Sequence, residues 1–268
     1  MFEPRRPSRP SRQIRPPAAP TTRHRAAPTT AGHRPARRRP LGRCPATATI
    51  TSLTAAVGGA QFIWPDLVAR WRRDGARLHD REWWRLVTPL LVQPDGLGQY
   101  AYNLTGSVLV GVAVERRHGH TRCLACYLAS GLAGNLAAYR WQPHANGGGS
   151  SDAVAGLIGA LAMTQLQDGA LPRWPAYLYT AHFAAYLTVL DTTSYQTAAL
   201  AGAAALAAAT TARHRLPARP LSRATATAVI AAATAMTALR DPHGVGLLSG
   251  LALTCLDPRV RTPPPARI

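Results

Sequence analysis

The sequence contains no lysine, and its 268 residues carry only 12 acidic side chains against 31 basic ones, all arginine. Charged residues make up 16% of the chain, where a soluble domain usually carries about a quarter, and so large a deficit argues against an ordinary soluble globule. Four cysteines in a chain of this length exclude a disulfide framework. Cys123 and Cys126 form a CxxC, but it sits in an apolar stretch with no second pair, so both read as packing thiols and no metal is expected. Nothing in the sequence implies a cofactor.

What is present is unevenly placed. Residues 1–45 hold twelve Arg, ten Pro and a single acid, Glu3. Such a tract has too little apolar surface to fold, and it reads as a disordered arm. It does not read as a cleavable signal peptide, because no apolar run follows the first basic residues until after Cys44. Its arginines invite comparison with a nucleic-acid reader, yet it has no helix-turn-helix and no interleaved aromatics, so no nucleic-acid partner is expected. An anionic inner leaflet would attract such an arm, at roughly 1 kcal/mol per Arg. Residues 257–268 read as a short basic tail.

Between these ends, residues 46–256 read as one transmembrane domain. The run 46–64 is free of charge over nineteen residues, just enough for a helix to cross a hydrocarbon core of about 30 Å. Similar runs recur at about 97–114, 123–139, 150–166, 174–190, 194–212, 224–239 and 243–256, several of them short and rich in Ala. The count of spans is therefore about eight, in an all-α polytopic membrane protein. With the basic arm in the cytoplasm, inner connections 115–122, 167–173 and 213–223 carry three, one and four Arg, while outer ones 140–149, 191–193 and 240–242 carry one, none and one. That parity obeys the positive-inside rule and implies a multi-pass protein with a cytoplasmic N-terminus, in the plasma membrane. The exception is 65–96, outside with six Arg; its mixture of Trp71, Trp83, Trp84 and charges reads as a helix lying in the interface.

Polar groups near spans need explanation, since unsatisfied ones are costly in hydrocarbon. Gln99, Asn103, Ser151, Asp152, Tyr195, Asp241 and His243 all fall at or near outer span ends. The Gly-rich loop Asn146–Asp152 delivers Ser150 and Ser151 to the start of a helix, where a plain N-cap is the commoner role. Asp241-Pro242-His243-Gly244 opens another helix, with Gly244, Gly246 and Gly250 permitting close helix approach. A serine alone is a weak nucleophile, and a histidine within reach supplies its general base. Asn103, one turn after Gln99, offers a side-chain donor for an oxyanion beside the Ser151 N–H. No aspartate is identified to orient His243, so a Ser/His dyad is the economical mechanism. His182, inside a span, reads as a histidine hydrogen-bonded between helices.

The ordered series of motifs resembles the rhomboid family of intramembrane serine proteases. The residues that carry the resemblance are Glu82-Trp83-Trp84-Arg85-Leu86-Val87-Thr88-Pro89, the Gln99 to Asn103 pair, Glu115-Arg116-Arg117-His118-Gly119, Tyr127 to Leu136, Gly149-Ser150-Ser151-Asp152 through Ala160, and His243, Gly246 and Gly250. The resemblance implies a rhomboid-like helical bundle, a six-span core plus an extra pair of spans, with Ser151 as nucleophile, His243 as base, and Asn103 and Gln99 at the oxyanion. It implies a lipid bilayer and single-span membrane proteins as partners, and leaves the oligomeric state open, including whether Gly156 and Gly159 form a dimer interface. Gln99 stands where the family has His, and Asp152 where it has Gly after the nucleophile. A rival alignment puts Tyr195 at the base position, which would make the chain a catalytically inactive relative that binds membrane clients. A small transporter is a poorer reading, because no internal repeat is visible.

Overall fold

The computed structural model describes residues 44–256; the arm expected over 1–45, save its last two residues, and the tail 257–268 lie outside the described residues. Helix α1 is Pro45–Ala60, with Pro in its first turn, where a missing N–H costs nothing. Its N-terminal amides are satisfied from elsewhere in the chain: the Glu115 carboxylate accepts from the N–H of Ala46 (3.0 Å) and of Thr47 (2.7 Å) and from the Thr47 hydroxyl (2.7 Å). A buried carboxylate thus does the work of an N-cap that Cys44 cannot do.

The long connection that follows is not one interfacial helix as the sequence suggested. It breaks into α2 (Asp66–Trp71), a two-residue strand β1 (Arg73–Asp74), α3 (Gly75–His79) and two 3-10 turns, 83–86 and 88–90. Its order comes from long-range bonds. Arg85 donates to Ala69 O and Arg72 O and pairs with Glu82, and the Thr88 hydroxyl donates to Trp71 O. Gly75 fixes the break, because a Cβ there would collide with the Pro143 carbonyl.

The remaining helices are α4 (Leu97–His118), α5 (His120–Trp141), α6 (Ser151–Asp168), α7 (Trp174–Leu190), α8 (Tyr195–Arg215), α9 (Ala218–Ala238) and α10 (Pro242–Cys255). With α1 they coincide one for one with the eight weakly charged runs. Among the described residues no helix is long and apolar enough to cross a membrane. Helices α1, α7 and α10 are short, α4 ends in charges, and α8 opens on Tyr195 and Gln196 and closes on Arg213, His214 and Arg215.

Helix α6 is the centre of the bundle, buried around most of its circumference and packed against α4, α5, α9 and α10. Its contact with α10 is the most extensive among the described helices. It is made backbone to backbone: Gly250 lies on the Gly156 carbonyl, Gly246 on the Asp152 carbonyl, and Gly159 on the Leu247 carbonyl. Small residues at these positions let two helices approach more closely than any side chain allows. Gly159 is therefore covered by α10, and Gly156 by Ser130 of α5 on one side and Gly250 of α10 on the other, all within the same chain. The bundle has an apolar core, but one helix also carries an inverted stripe. Helix α5 buries Ser130, Gly131, Gly134 and Asn135 while turning Leu124, Leu128, Leu132 and Leu136 outward, each 39–50% exposed.

Candidate active site

Two short strands bring the site together. Arg73 and Asp74 of β1 pair antiparallel with Gly147 and Asn146 of β2 (Asn146–Gly147), which ties the loop before α6 to the first long connection. Beyond the strand, Gly149 N donates to Pro89 O at 2.9 Å, and Gly149 adopts a φ of +121°, a region that favours glycine. This turn sets Ser150 at the cap position of α6 and Ser151 at its first residue. Ser150 makes no side-chain cap bond, so simple capping does not describe the loop.

Ser151 Oγ lies 2.8 Å from His243 Nε2, across the glycine-lined contact of α6 and α10. The other ring nitrogen, Nδ1, lies 2.6 Å from Asp241 Oδ1, and the same oxygen accepts from the His243 backbone N–H at 2.8 Å. The sequence puts Asp241 among the polar residues at outer span ends but does not assign it as the partner of His243. Its signal was the Asp-Pro-His spacing, which reads equally well as an ordinary helix cap. Tyr195, the rival candidate, begins α8 and is 72% exposed, while the hydrogen-bond partner of Ser151 is His243.

A cavity of about 690 Å³ opens beside Ser151 and His243, and Gln99 and Asn103 also line it. Both amides lie close to Gly149: a Cβ there would stand 2.7 Å from Gln99 Nε2 and 3.3 Å from Asn103 Nδ2. Gln99 Nε2 donates to Gly148 O at 3.0 Å, and Asn103 Nδ2 donates to Gln93 Oε1 at 2.7 Å. Each amide nitrogen carries two hydrogens, so each retains one donor beyond these bonds. Gln93 is a residue the sequence did not single out. It is fully buried and locked by reciprocal bonds with Gln61, at 2.8 Å each way.

Asp152 packs toward α5, where a Cβ on Gly134 would stand 2.7 Å from its Oδ2. Its Oδ1 lies 3.7 Å from His243 Nε2. Arg73, from the opposite strand, attracts this carboxylate; burial pulls the Arg73 guanidinium below its ordinary range, and the Asp152 charge opposes that pull. Arg73 also donates to Asn135 Oδ1 at 3.3 Å, and Asn135 Nδ2 to Leu86 O at 3.0 Å. His182 Nδ1 lies 3.0 Å from the Tyr102 hydroxyl, bridging α7 and α4 as its setting in the sequence implied.

A second carboxyl, Asp191 in the α7–α8 connection, stands beside Asp241. Burial, its hydrogen bond to Asp241 and the charge of Asp241 push Asp191 up from 3.8 to about 7. Burial would raise Asp241 too, but the His243 charge and the hydrogen bonds from His243 and Asp191 outweigh it and hold Asp241 down to about 2. The native chain therefore keeps the Asp191 proton up to about pH 7, whereas the unfolded chain releases it near 3.8. Stability contributed by that proton is present below about pH 4 and is lost as pH rises to about 7. Asp191→Asn is expected to remove this fall from the melting temperature measured in detergent between pH 4 and 8; an unchanged slope would refute it.

Comparison with known proteins places these residues in context. A family model described as the rhomboid domain matches residues 80–215, about half of the chain. Gln99, Asn103 and Ser151 fall inside the match, and Asp241 and His243 lie beyond it. The chain is 36% identical over 112 residues to the rhomboid protease GluP of Bacillus subtilis, covering 42% of this chain and 22% of that protein. It is 35% identical over 101 residues to YdcA, a second rhomboid of that organism, covering 36% of this chain and 47% of the relative. A rhomboid-like protease 3 of Toxoplasma gondii is 35% identical over 79 residues, 30% of each chain. The chain thus spans less than half the length of the curated relatives it matches.

Proposed function

The chain belongs to the rhomboid family, one of multi-pass integral membrane proteins, and from that premise we propose that it is an intramembrane serine endopeptidase that cleaves single-span membrane proteins with Ser151 and His243. The observation that carries this reading is the 2.8 Å contact of Ser151 Oγ with His243 Nε2 on the wall of a cavity. A hydroxyl this close to an imidazole nitrogen has the base it needs to act as a nucleophile.

In the proposed reaction Ser151 Oγ attacks the scissile carbonyl carbon as its proton passes to His243 Nε2. The Oγ–C bond forms, the C–N bond breaks, and Nε2 returns the proton to the departing amine. Water then attacks the acyl carbon, giving its proton to Nε2, and Ser151 leaves with that proton restored and a carboxylic acid as product. The second hydrogens of the Asn103 and Gln99 amides, with the Ser151 N–H in the unbonded first turn of α6, are the proposed oxyanion donors.

The bilayer is supported by the inverted stripe described above. Leucines along α5 face outward and polar or small side chains face inward, the arrangement that lipid favours and water does not. The eight long helices are the proposed spans, in the plasma membrane with the N-terminus cytoplasmic. One observation favours a second reading, an inactive client-binding relative: the Asp152 carboxylate is buried directly after the nucleophile, where negative charge opposes a nascent oxyanion. Reconstituting the full chain in liposomes with a transmembrane reporter separates the two. Hydrolysis that a serine-reactive phosphonofluoridate abolishes is the expected result. A reporter that co-purifies intact would favour the second reading, and cleavage that survives in His243→Ala would overturn the Ser151/His243 assignment.

A further inference from the structure

We infer that Asp241 is a third member of this site, a positioning residue that fixes the proton of His243 on Nδ1 and so leaves Nε2 free to accept from Ser151. The inference rests on the hydrolase reading above and extends it. Rotation about χ1 and χ2 gives an imidazole many orientations, and two neutral tautomers present different lone pairs to the serine. Only one arrangement leaves an acceptor at Nε2, and something must select it.

The structure supplies the selector through backbone geometry. Arg240 adopts a left-handed φ of +62°, turning the chain sharply after α9. Asp241 N then donates to Met236 O at 2.8 Å, and the residue is buried at 8% exposure. Pro242 follows at the first turn of α10, where its ring fixes φ. Asp241 and His243 are thereby held two residues apart with little freedom between them.

A carboxylate only accepts hydrogen bonds, so the 2.6 Å contact of Asp241 Oδ1 with Nδ1 requires Nδ1 to be the donor. The proton is then on Nδ1, and the Nε2 lone pair faces Ser151 Oγ at 2.8 Å. As the serine proton arrives at Nε2, the ring becomes an imidazolium whose charge Asp241 faces directly. The other carboxylate facing that ring, Asp152, sits 3.7 Å from Nε2, beyond hydrogen-bond distance and on the side of the serine, so it does not compete with Asp241 for Nδ1. Asp191 acts one step further out: its carboxyl hydrogen-bonds Asp241 from the α7–α8 connection. The low value of Asp241, about 2, keeps it an acceptor throughout the neutral range.

The test separates this role from that of a helix cap. Asp241→Asn keeps an oxygen that can accept from the His243 backbone N–H but loses the charge and offers Nδ1 a donor as readily as an acceptor. Asp241→Ser keeps only the capping acceptor. The full chain in detergent is labelled with a fluorescent phosphonofluoridate, in which Ser151 Oγ displaces fluoride from phosphorus and its proton leaves through His243. The expected result is that both variants stay folded at the labelling temperature, with a cooperative melt, and bind the probe with the same half-saturating concentration. Their limiting labelling rate falls by on the order of a hundredfold or more. Labelling that Ser151→Ala and His243→Ala abolish but that proceeds at the wild-type rate in Asp241→Asn and Asp241→Ser would overturn the inference and leave the hydrolase reading standing. So would a loss of labelling matched by a loss of folded protein in both Asp241 variants, since the Asp241 carboxylate would then act on the fold and not on the imidazole. A wild-type chain that does not label at all would overturn both.

Discussion

Replacing Gly250 with valine is expected to destroy the native bundle. A Cβ at this position would overlap the Gly156 carbonyl, standing 2.6 Å from its carbon and 2.8 Å from the Gly156 Cα. Those atoms are main chain in the middle of α6, so no side-chain rotation relieves the overlap. The helices must separate, and with them go the neighbouring approaches of Gly246 to the Asp152 carbonyl and Gly159 to the Leu247 carbonyl. Overpacking a well-packed core costs about 1–3 kcal/mol when side chains can yield. With backbone on both sides the cost exceeds about 4 kcal/mol, which corresponds to a melting temperature lower by on the order of 10 °C. Thermal unfolding in detergent measures it. Gly59→Ala is the reference: its nearest non-local atom is the Tyr100 hydroxyl at 3.6 Å, an ordinary contact, so its effect stays within about 1 kcal/mol. Equal melting of Gly250→Val and wild type would show that α6 and α10 do not meet as described.

The same contact shows where sequence reasoning succeeds and where it stops. Helix positions were legible because they depend on local composition. The run 150–166 became Ser151–Asp168, and 243–256 became Pro242–Cys255. The glycines of α10 were legible as a surface for close approach, but their partner was not. Gly156 and Gly159 could equally have faced a second molecule, and only the three-dimensional path of the chain brings α10 onto them. The segment 65–96 failed for a related reason. Its tryptophans and arginines have the composition of an interfacial helix, yet its path is set by bonds such as Arg85 to Ala69 O and Arg72 O and the pairing of Arg73 with Gly147. Partners such as Gly147 are too distant in sequence for any local pattern to encode.

At the candidate site the division is finer. Ser151, His243, Gln99 and Asn103 could be picked out because each is a polar residue at the end of an apolar run, and the structure lines one cavity with all four. Gln93 escaped, and so did the role of Asp241, because their ordinary roles explain them completely. A glutamine before proline reads as loop, and an aspartate before Pro-His reads as a cap. What distinguishes them is the second bond each makes, Gln93 to Asn103 and Asp241 to His243 Nδ1. A second bond is a property of packing, and no residue type declares it.

Ser151→Ala and His243→Ala are each expected to reduce reporter cleavage by a factor on the order of ten thousand or more, and the double variant is expected to be no worse than either alone. The reason for this failure of additivity lies in the geometry. The serine hydroxyl has value as a nucleophile only while Nε2 accepts its proton, and at 2.8 Å the two groups act as one unit. Removing either ends proton transfer and with it the covalent route, so nothing remains for the second substitution to remove. What persists is the contribution of the cavity and of the proposed donors, Asn103 and Gln99, which neither alanine touches. Independent roles would behave otherwise. If His243 merely braced α10 against α6, its loss would lower the melting temperature and the two effects would multiply. Initial cleavage rates for the wild type, both single variants and the double variant, each checked for folding by thermal melting, decide between these patterns. Multiplying effects, or cleavage retained in Ser151→Ala, would mean that Ser151 and His243 do not form the working pair.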